Sequence, residues 1–265
     1  MCEFVEVHCI RETAARVTGK QPSHHTRIRF VDEQLNDIPR VILRGYDPDM
    51  YKGNTQVDGA AHVRELTDLT ISKISVGPYN NNSYLLRCRN TGIQVLIDAA
   101  AQPERLMSLI GPGGLMSILT THGHHDHWNA LAEVVAATGA QTFAPQADIE
   151  LIGVPTNHAM APGSMVTFGD ISLKVLTTGG HTPGASMFFY DDPFGHGHLF
   201  SGDCLFPGGV GKTTTPEDFT TLFIGVKSQV FDSLPDTTWV YPGHGDDTSV
   251  GAERPSLSEW ESRGW

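Results

Sequence analysis

The chain has 265 residues, 39% of them hydrophobic and 18% charged, the balance of a soluble globular protein long enough to bury a substantial core. Its net charge of -12, with histidine neutral, argues against broad binding to nucleic-acid phosphates or anionic membrane surfaces, which need Lys/Arg patches. The four cysteines, Cys2, Cys9, Cys88 and Cys204, form no Cys-x-x-Cys pair, so free thiols in a reducing compartment are expected. The N-terminal run MCEFVEVHCIRETAARV lacks a basic stretch followed by an apolar one, and no segment reaches the apolar length of a spanning helix. A cytoplasmic protein with no membrane and no nucleic-acid partner is the expectation.

Residues 1–70 read as an N-terminal extension of unknown role, and 71–265 as the main domain. In the extension, residues 27–31 and 41–43 have the composition of short strands between turn-rich stretches such as Asp47-Pro48-Asp49. Two readings stay open: a cap that packs on the main domain or on another subunit of a homo-oligomer, and a loosely ordered extension. From residue 71 the pattern sharpens. Alternation over part of Thr70 to Val76, then Ser83 to Cys88 and Ile93 to Ile97, predicts a strand meander with turns at Asn80-Asn81-Asn82 and Asn90-Thr91-Gly92. Gln102-Pro103-Glu104 opens a helix that Gly111-Pro112-Gly113-Gly114 stops. Leu115 to Leu119 is a buried strand, and a helix near 129–138 closes at Gly139. Gln141 to Ala144 is a short strand, Asp148 to Ile152 a short helix and Pro155 to Gly163 a loop. Strands follow at 165–168, 171–176, 186–190 and 198–201. Thr215-Pro216-Glu217-Asp218 carries a capping hydroxyl, a proline at the first helical position and first-turn acids, so a helix begins there. Gly225 inside that helix is a mild cost that a close packing contact would explain. Thr238 to Tyr241 is the last clear strand, and 256–263 a short closing helix. The half-pattern of meander, helix and strand occurs twice, which predicts two sheets with helices on their outer faces.

The chemistry concentrates in Thr121-His122-Gly123-His124-His125-Asp126-His127-Trp128. Taken alone, His122, His124, Asp126 and His127 read either as a solvated histidine-rich loop or as a metal site, because neutral imidazole and carboxylate are the common ligands of a cationic site. Three single residues later in the chain change the balance. His181 lies in Gly180-His181-Thr182-Pro183-Gly184, Asp203 in Ser201-Gly202-Asp203-Cys204-Leu205-Phe206, and His244 in Pro242-Gly243-His244. Each follows a predicted strand end, where loops carry chemistry on a rigid frame.

HxHxDH, then GHTPG, SGDxLF and PGH in order resemble the metallo-β-lactamase-fold hydrolase superfamily, over roughly Ile71 to His244. The resemblance implies an α+β fold, a four-layer αββα sandwich, here with an N-terminal extension. It implies that His122, His124 and His181 hold one ion, that Asp126, His127 and His244 hold a second, and that Asp203 bridges them. Two zinc ions are expected, with iron, manganese or mixed metals as alternatives. Asp126 would both ligate and orient a metal-bound hydroxide that attacks the substrate. Asp98 matches a motif residue that supports ligands rather than being one, and His125 is expected to face outward. The aspartate at 203, where Zn-Cys lactamases have cysteine, and the run Gly209-Val210-Gly211-Lys212 resemble glyoxalase II (hydroxyacylglutathione hydrolase). That branch makes Lys212 a candidate substrate-binding residue, against the plainer reading of a solvated loop lysine. The chain departs from glyoxalase II in Gly243-His244-Gly245-Asp246 and in lacking most of the glutathione-binding segment. The expected activity is therefore hydrolysis of a small-molecule thioester, ester or lactone, with an undetermined carrier thiol. A mononuclear-iron persulfide dioxygenase using His122, His181 and Asp203 is the alternative, and a β-lactam-hydrolysing or lactonase member a further one.

Overall fold

A computed structural model describes residues 51–264 of the chain. Two sheets stack face to face. The first runs β1 (His62–Glu65), β2 (Leu69–Val76), β3 (Asn81–Cys88), β4 (Gln94–Ile97), β5 (Ser117–Leu119), β6 (Gln141–Pro145) and β7 (His158–Met160) in spatial order. Tight turns join β1 to β4 as an antiparallel meander, and β4 to β7 are parallel. The crossovers from β4 to β5 and from β5 to β6 pass through helices α1 (Pro103–Ile110) and α2 (Leu131–Thr138), as parallel pairing requires. The second sheet contains β8 (Met165–Phe168), β9 (Ile171–Thr177), β10 (Ser186–Tyr190), β11 (His198–Gly202), β14 (Trp239–Pro242) and β15 (Thr248–Ser249). A separate hairpin, β12 (Leu205–Phe206) with β13 (Gly209–Val210), follows β11. Helices α3 (Pro216–Val226), α4 (Val250–Glu253) and α5 (Leu257–Arg263) complete the second half.

Three apolar layers explain the stacking. Between the sheets lie Leu69, Ile71, Leu86, Val95, Leu173, Val175, Phe188, Phe200 and Tyr241, all nearly or wholly buried. Outside the first sheet, Leu96 and Ile118 pack on Leu106 and Ile110 of α1 and Leu131 and Val134 of α2. Outside the second, Met187, Leu199 and Val240 meet Leu222, Phe223 and Val226 of α3 and Trp260 of α5. Alternate residues of one strand thus face opposite layers, and the αββα order predicted from sequence is what this burial produces.

The predicted boundaries mostly hold within a residue or two, including Thr215 accepting from the Asp218 N–H as helix cap, with Pro216 in the first turn. Asn81 and Asn82 belong to β3 rather than to a turn. The stretch read as a loop at 155–163 contains β7. Residues 51–70 pack on the sandwich: β1 pairs with β2, and the Tyr51 hydroxyl donates to Asp247 at 2.9 Å. The strands expected at 27–31 and 41–43, and the role of residues 1–50, lie outside the described residues.

Candidate metal centre

All the motif residues meet at one edge of the sandwich, at the ends of strands from both sheets. The loop after β5 carries His122, His124, Asp126 and His127. His181 follows β9, Asp203 sits just past β11, and His244 follows β14. Two glycines permit the crowding. Gly202 has φ +47°, and a Cβ there would lie 2.8 Å from that of Thr121, while one on Gly243 would overlap Asp203 Oδ1. The sheets are laced together beside the site: Asn82 N–H donates to Gly243 O at 2.7 Å and Gly243 N–H to Gly202 O at 2.8 Å.

Hydrogen bonds decide which imidazole nitrogens face inward. His127 Nδ1–H donates to Asp98 Oδ2 at 2.8 Å, His181 Nδ1–H to the Lys212 carbonyl at 2.6 Å, and His244 Nδ1–H to the Tyr79 carbonyl at 2.8 Å. Thr121 donates its hydroxyl to Asp98 Oδ2, so its oxygen is free to accept from His122 Nδ1, 3.0 Å away. Each partner leaves the Nε2 lone pair of its histidine pointing to the centre. Asp98, at φ +56°, also takes the Thr121 N–H, and so joins the end of β4 to both His122 and His127.

Two groups of inward donors result. His122 Nε2, His124 Nδ1 and His181 Nε2 form a triangle with sides of 3.1, 2.9 and 3.2 Å. Ligands about 2.0–2.1 Å from a tetrahedral ion stand roughly 3.3 Å apart, so the spacing fits one ion. Asp126, His127 and His244 make the second group, with His127 Nε2 and His244 Nε2 3.1 Å apart and Asp126 Oδ2 3.5 Å from His244 Nε2. Asp203 lies between them: Oδ1 is 3.4 Å from His127 Nε2, and Oδ2 is 3.4 Å from both His181 Nε2 and His244 Nε2. Asp203 Oδ1 is buried and accepts no hydrogen bond. Converging lone pairs and a buried carboxylate oxygen without a donor are unfavourable unless a cation joins them, so this donor set fits divalent ions.

The electrostatics carry the same signature. Burial, then the neighbouring His127 charge, pushes His122 well below the usual imidazole range, and burial with His181 lowers His124. Burial opposes charge on His127, but the Asp203 carboxylate and the bond to Asp98 outweigh it and raise its pKa. Burial likewise opposes ionisation of Asp203, yet His127, His181 and His244 hold its carboxyl well below the usual range.

His125 is exposed and packs edge-on against Trp128. The Lys212 side chain is exposed, and its backbone carbonyl is what touches the cluster. Supports that the sequence reading did not identify are Thr121, Asn81, Asp148 and Lys73. Asn81 Nδ2 donates to Asp126 Oδ2 and to its carbonyl, both at 3.0 Å. Buried Lys73 donates to the Gly245 carbonyl and to Asp247 Oδ1, each at 2.7 Å, anchoring the His244 loop. Only Asn81 had a visible signal, an asparagine run at a strand start.

Fold and site together define a metallo-hydrolase scaffold. Residues 76–244 match the model of the metallo-beta-lactamase superfamily, and the chain belongs to that superfamily. It is 34% identical over 169 residues to a hydroxyacylglutathione hydrolase from a Polaromonas species, covering 63% of this chain and 62% of that enzyme. The chain therefore spans less than two thirds of that relative's length. Among solved structures it resembles a B3 metallo-beta-lactamase, BLEG-1, at 25% identity and TM-score 0.63, covering 70% of this chain and 96% of the other. It is also similar to TTHA1623, solved in a di-iron-bound form, at 32% identity and TM-score 0.58, covering 69% and 96% of the two chains. Among the described residues no helix is long and apolar enough to cross a membrane.

Proposed function

We propose that the chain hydrolyses a small-molecule thioester, ester or lactone at a two-ion centre, with zinc in both positions. The observation that carries the reading is the paired donor set with the Asp203 carboxylate between its halves. In this assignment His122, His124 and His181 would hold one ion and Asp126, His127 and His244 the other, with Asp203 placed to contact both. When bound, such ions supply a nucleophile near neutral pH and polarise the scissile carbonyl. The chain's own residues do the rest. Asp126, its Oδ2 steered by Asn81, would orient the attacking water. Asp98, Lys212 O and Tyr79 O hold the imidazoles in the required tautomers. The exposed Lys212 ammonium is available to an anionic group on the substrate.

The hydroxyacylglutathione hydrolase relative favours a thioester. The match covers 62% of that enzyme, so the acyl group and the carrier thiol are left to the substrate panel below. The buried free thiols of Cys88 and Cys204 fit a reducing, cytoplasmic setting.

The test pairs elemental analysis of the purified chain with a substrate panel of an S-acyl thiol, an aryl ester, a homoserine lactone and a β-lactam. Two ions per chain and turnover of one of the first three are expected. Asp126→Ala and His181→Ala should each abolish turnover, both with the fold retained by circular dichroism. One iron per chain with oxygen uptake on a persulfide would instead establish the dioxygenase.

A further inference from the structure

We propose that Asp148 is a positioning residue that sets the His122–His124–His181 spacing by clamping together the two loops that carry it. The inference rests on the assignment of those three histidines to one ion.

Asp148 lies in a tight helical turn, Gln146–Leu151, directly after β6, and is fully buried. Its carboxylate reaches both loops at once. Oδ2 accepts the Gly123 N–H at 2.8 Å and the Thr182 hydroxyl at 2.5 Å, and Oδ1 accepts the Gly184 N–H at 2.6 Å. Gly123 is the residue between His122 and His124, and Thr182 is the residue after His181. One loop leaves the first sheet and the other the second; the Ser186 N–H donates to Thr121 O at 3.1 Å at their base, and no strand pairing continues from there to Gly123 and Thr182.

The surroundings are shaped for this contact. A Cβ on Gly184 would lie 2.9 Å from Asp148 Cγ, and one on Gly123 would lie 2.6 Å from Leu151, in the same turn as Asp148. All three partners are uncharged. A buried carboxylate without a cation is expensive for the fold, and an apolar side chain would fill the space more cheaply. What the carboxylate does that an apolar group does not is bind two separate loops through one rigid plane. Among the described residues it bonds to no imidazole, so it acts on the triad through the loops that carry it.

The chemistry admits no isosteric substitute. An asparagine has one acceptor oxygen and one NH₂. With its oxygen facing Gly123 and Thr182, the NH₂ opposes the Gly184 N–H. With its oxygen facing Gly184, the NH₂ opposes the Gly123 N–H. Asp148→Asn therefore releases one loop while preserving volume, and Thr182→Val is a milder cut that leaves both N–H bonds.

Metal-free wild type, Asp148→Asn, Thr182→Val and His181→Ala are titrated with Zn²⁺ against a chromophoric chelator, with the fold of each checked by circular dichroism. The affinity lost in His181→Ala identifies the triad ion. Asp148→Asn should weaken that ion about 10–100-fold, the range for outer partners of ligands, and leave the second unchanged. Thr182→Val should weaken it less. Asp148→Asn added to His181→Ala should not alter the remaining ion. Wild-type affinity for both ions in Asp148→Asn overturns the clamp, as do equal losses at both ions, the result of a generally loosened fold. Should Asp148→Asn not fold, an unchanged triad affinity in Thr182→Val overturns it. A wild-type chain that takes up fewer than two ions overturns the two-ion reading as well, and so separates that failure from the clamp's.

Discussion

His198 is fully buried on β11 in a cationic pocket away from the candidate centre. Its Nδ1 is 2.9 Å from the Tyr241 hydroxyl, Arg64 donates to that hydroxyl at 3.0 Å, and Nε2 has no partner. Burial, then the nearby His196 and Arg64, pushes its pKa down to about 3. The folded value is thus depressed below the ordinary 6.5. Between the two, the unfolded chain takes up a proton that the folded chain refuses, so stability falls as pH drops below 6.5, by at most ~1.4 kcal/mol per pH unit. His122 and His124 titrate in the same direction and His127 and His244 in the other, but these cancel when two variants are compared. The stability difference between wild type and His198→Phe should therefore shift by about 1 kcal/mol in favour of the variant between roughly pH 7 and pH 5.5. Urea unfolding at both pH values measures it, and a constant gap would refute the assignment. At this scale the sequence was legible wherever chemistry alone marks a residue: His122, His124, Asp126, His127, His181, Asp203 and His244 all reach one edge of the fold. Asp148 and Thr121 were not, because an aspartate in a short helix and a threonine before a motif look ordinary until a distant loop arrives to donate or accept.

Gly225 sets two element-level effects against each other. Inside α3, replacing glycine with alanine should stabilise by up to about 1 kcal/mol through helix propensity. But α3 packs on the start of the His181 loop, and a Cβ on Gly225 would lie 2.8 Å from Thr178 Cβ and 3.1 Å from Thr178 Cα. Backbone and a β-branched side chain cannot yield cheaply, and overpacking of this kind costs about 1–3 kcal/mol. The packing effect wins, so Gly225→Ala should destabilise by roughly 1–2 kcal/mol in guanidinium unfolding. A higher midpoint would show that the helix moves freely off the loop. The helix itself was readable from its cap, its proline and its apolar face, and the glycine marked the contact without naming the partner. Elements that carry weak local signals escaped: β7 is three residues of His158–Met160 among loop-like neighbours, and the β12–β13 hairpin has two residues per strand. Such short strands exist because a neighbour supplies the hydrogen bonds, which a single chain read linearly does not display.

Across the whole molecule, the candidate centre is the seam between two halves that each have their own outer core. The first half contributes His122, His124, Asp126 and His127, and the second His181, Asp203 and His244. Between the sheets most of the contact is apolar and non-directional, joined by directional bonds such as Asn82 N–H to Gly243 O and Lys73 to Asp247, and ions at this edge would add a further link at fixed ligand positions. Without them, the buried Asp203 carboxylate has only the imidazoles of His127, His181 and His244 beside it, and burial opposes its charge. Ions that bind the folded chain but not the unfolded one stabilise it by mass action, about 2.7 kcal/mol for an ion present at 100 times its dissociation constant. For a chain of this size that is a rise of roughly 5–10 °C per ion. Thermal unfolding of the chelator-stripped chain should thus shift upward on adding Zn²⁺ and return on adding EDTA. Asp203→Asn should remove most of the shift, because it loses the one carboxylate that touches both groups. His125→Ala should keep it in full, since that imidazole stands outside the cluster. A melting temperature indifferent to metal in the wild-type chain would mean that the two halves are already locked without ions, and that the converging lone pairs have another cause.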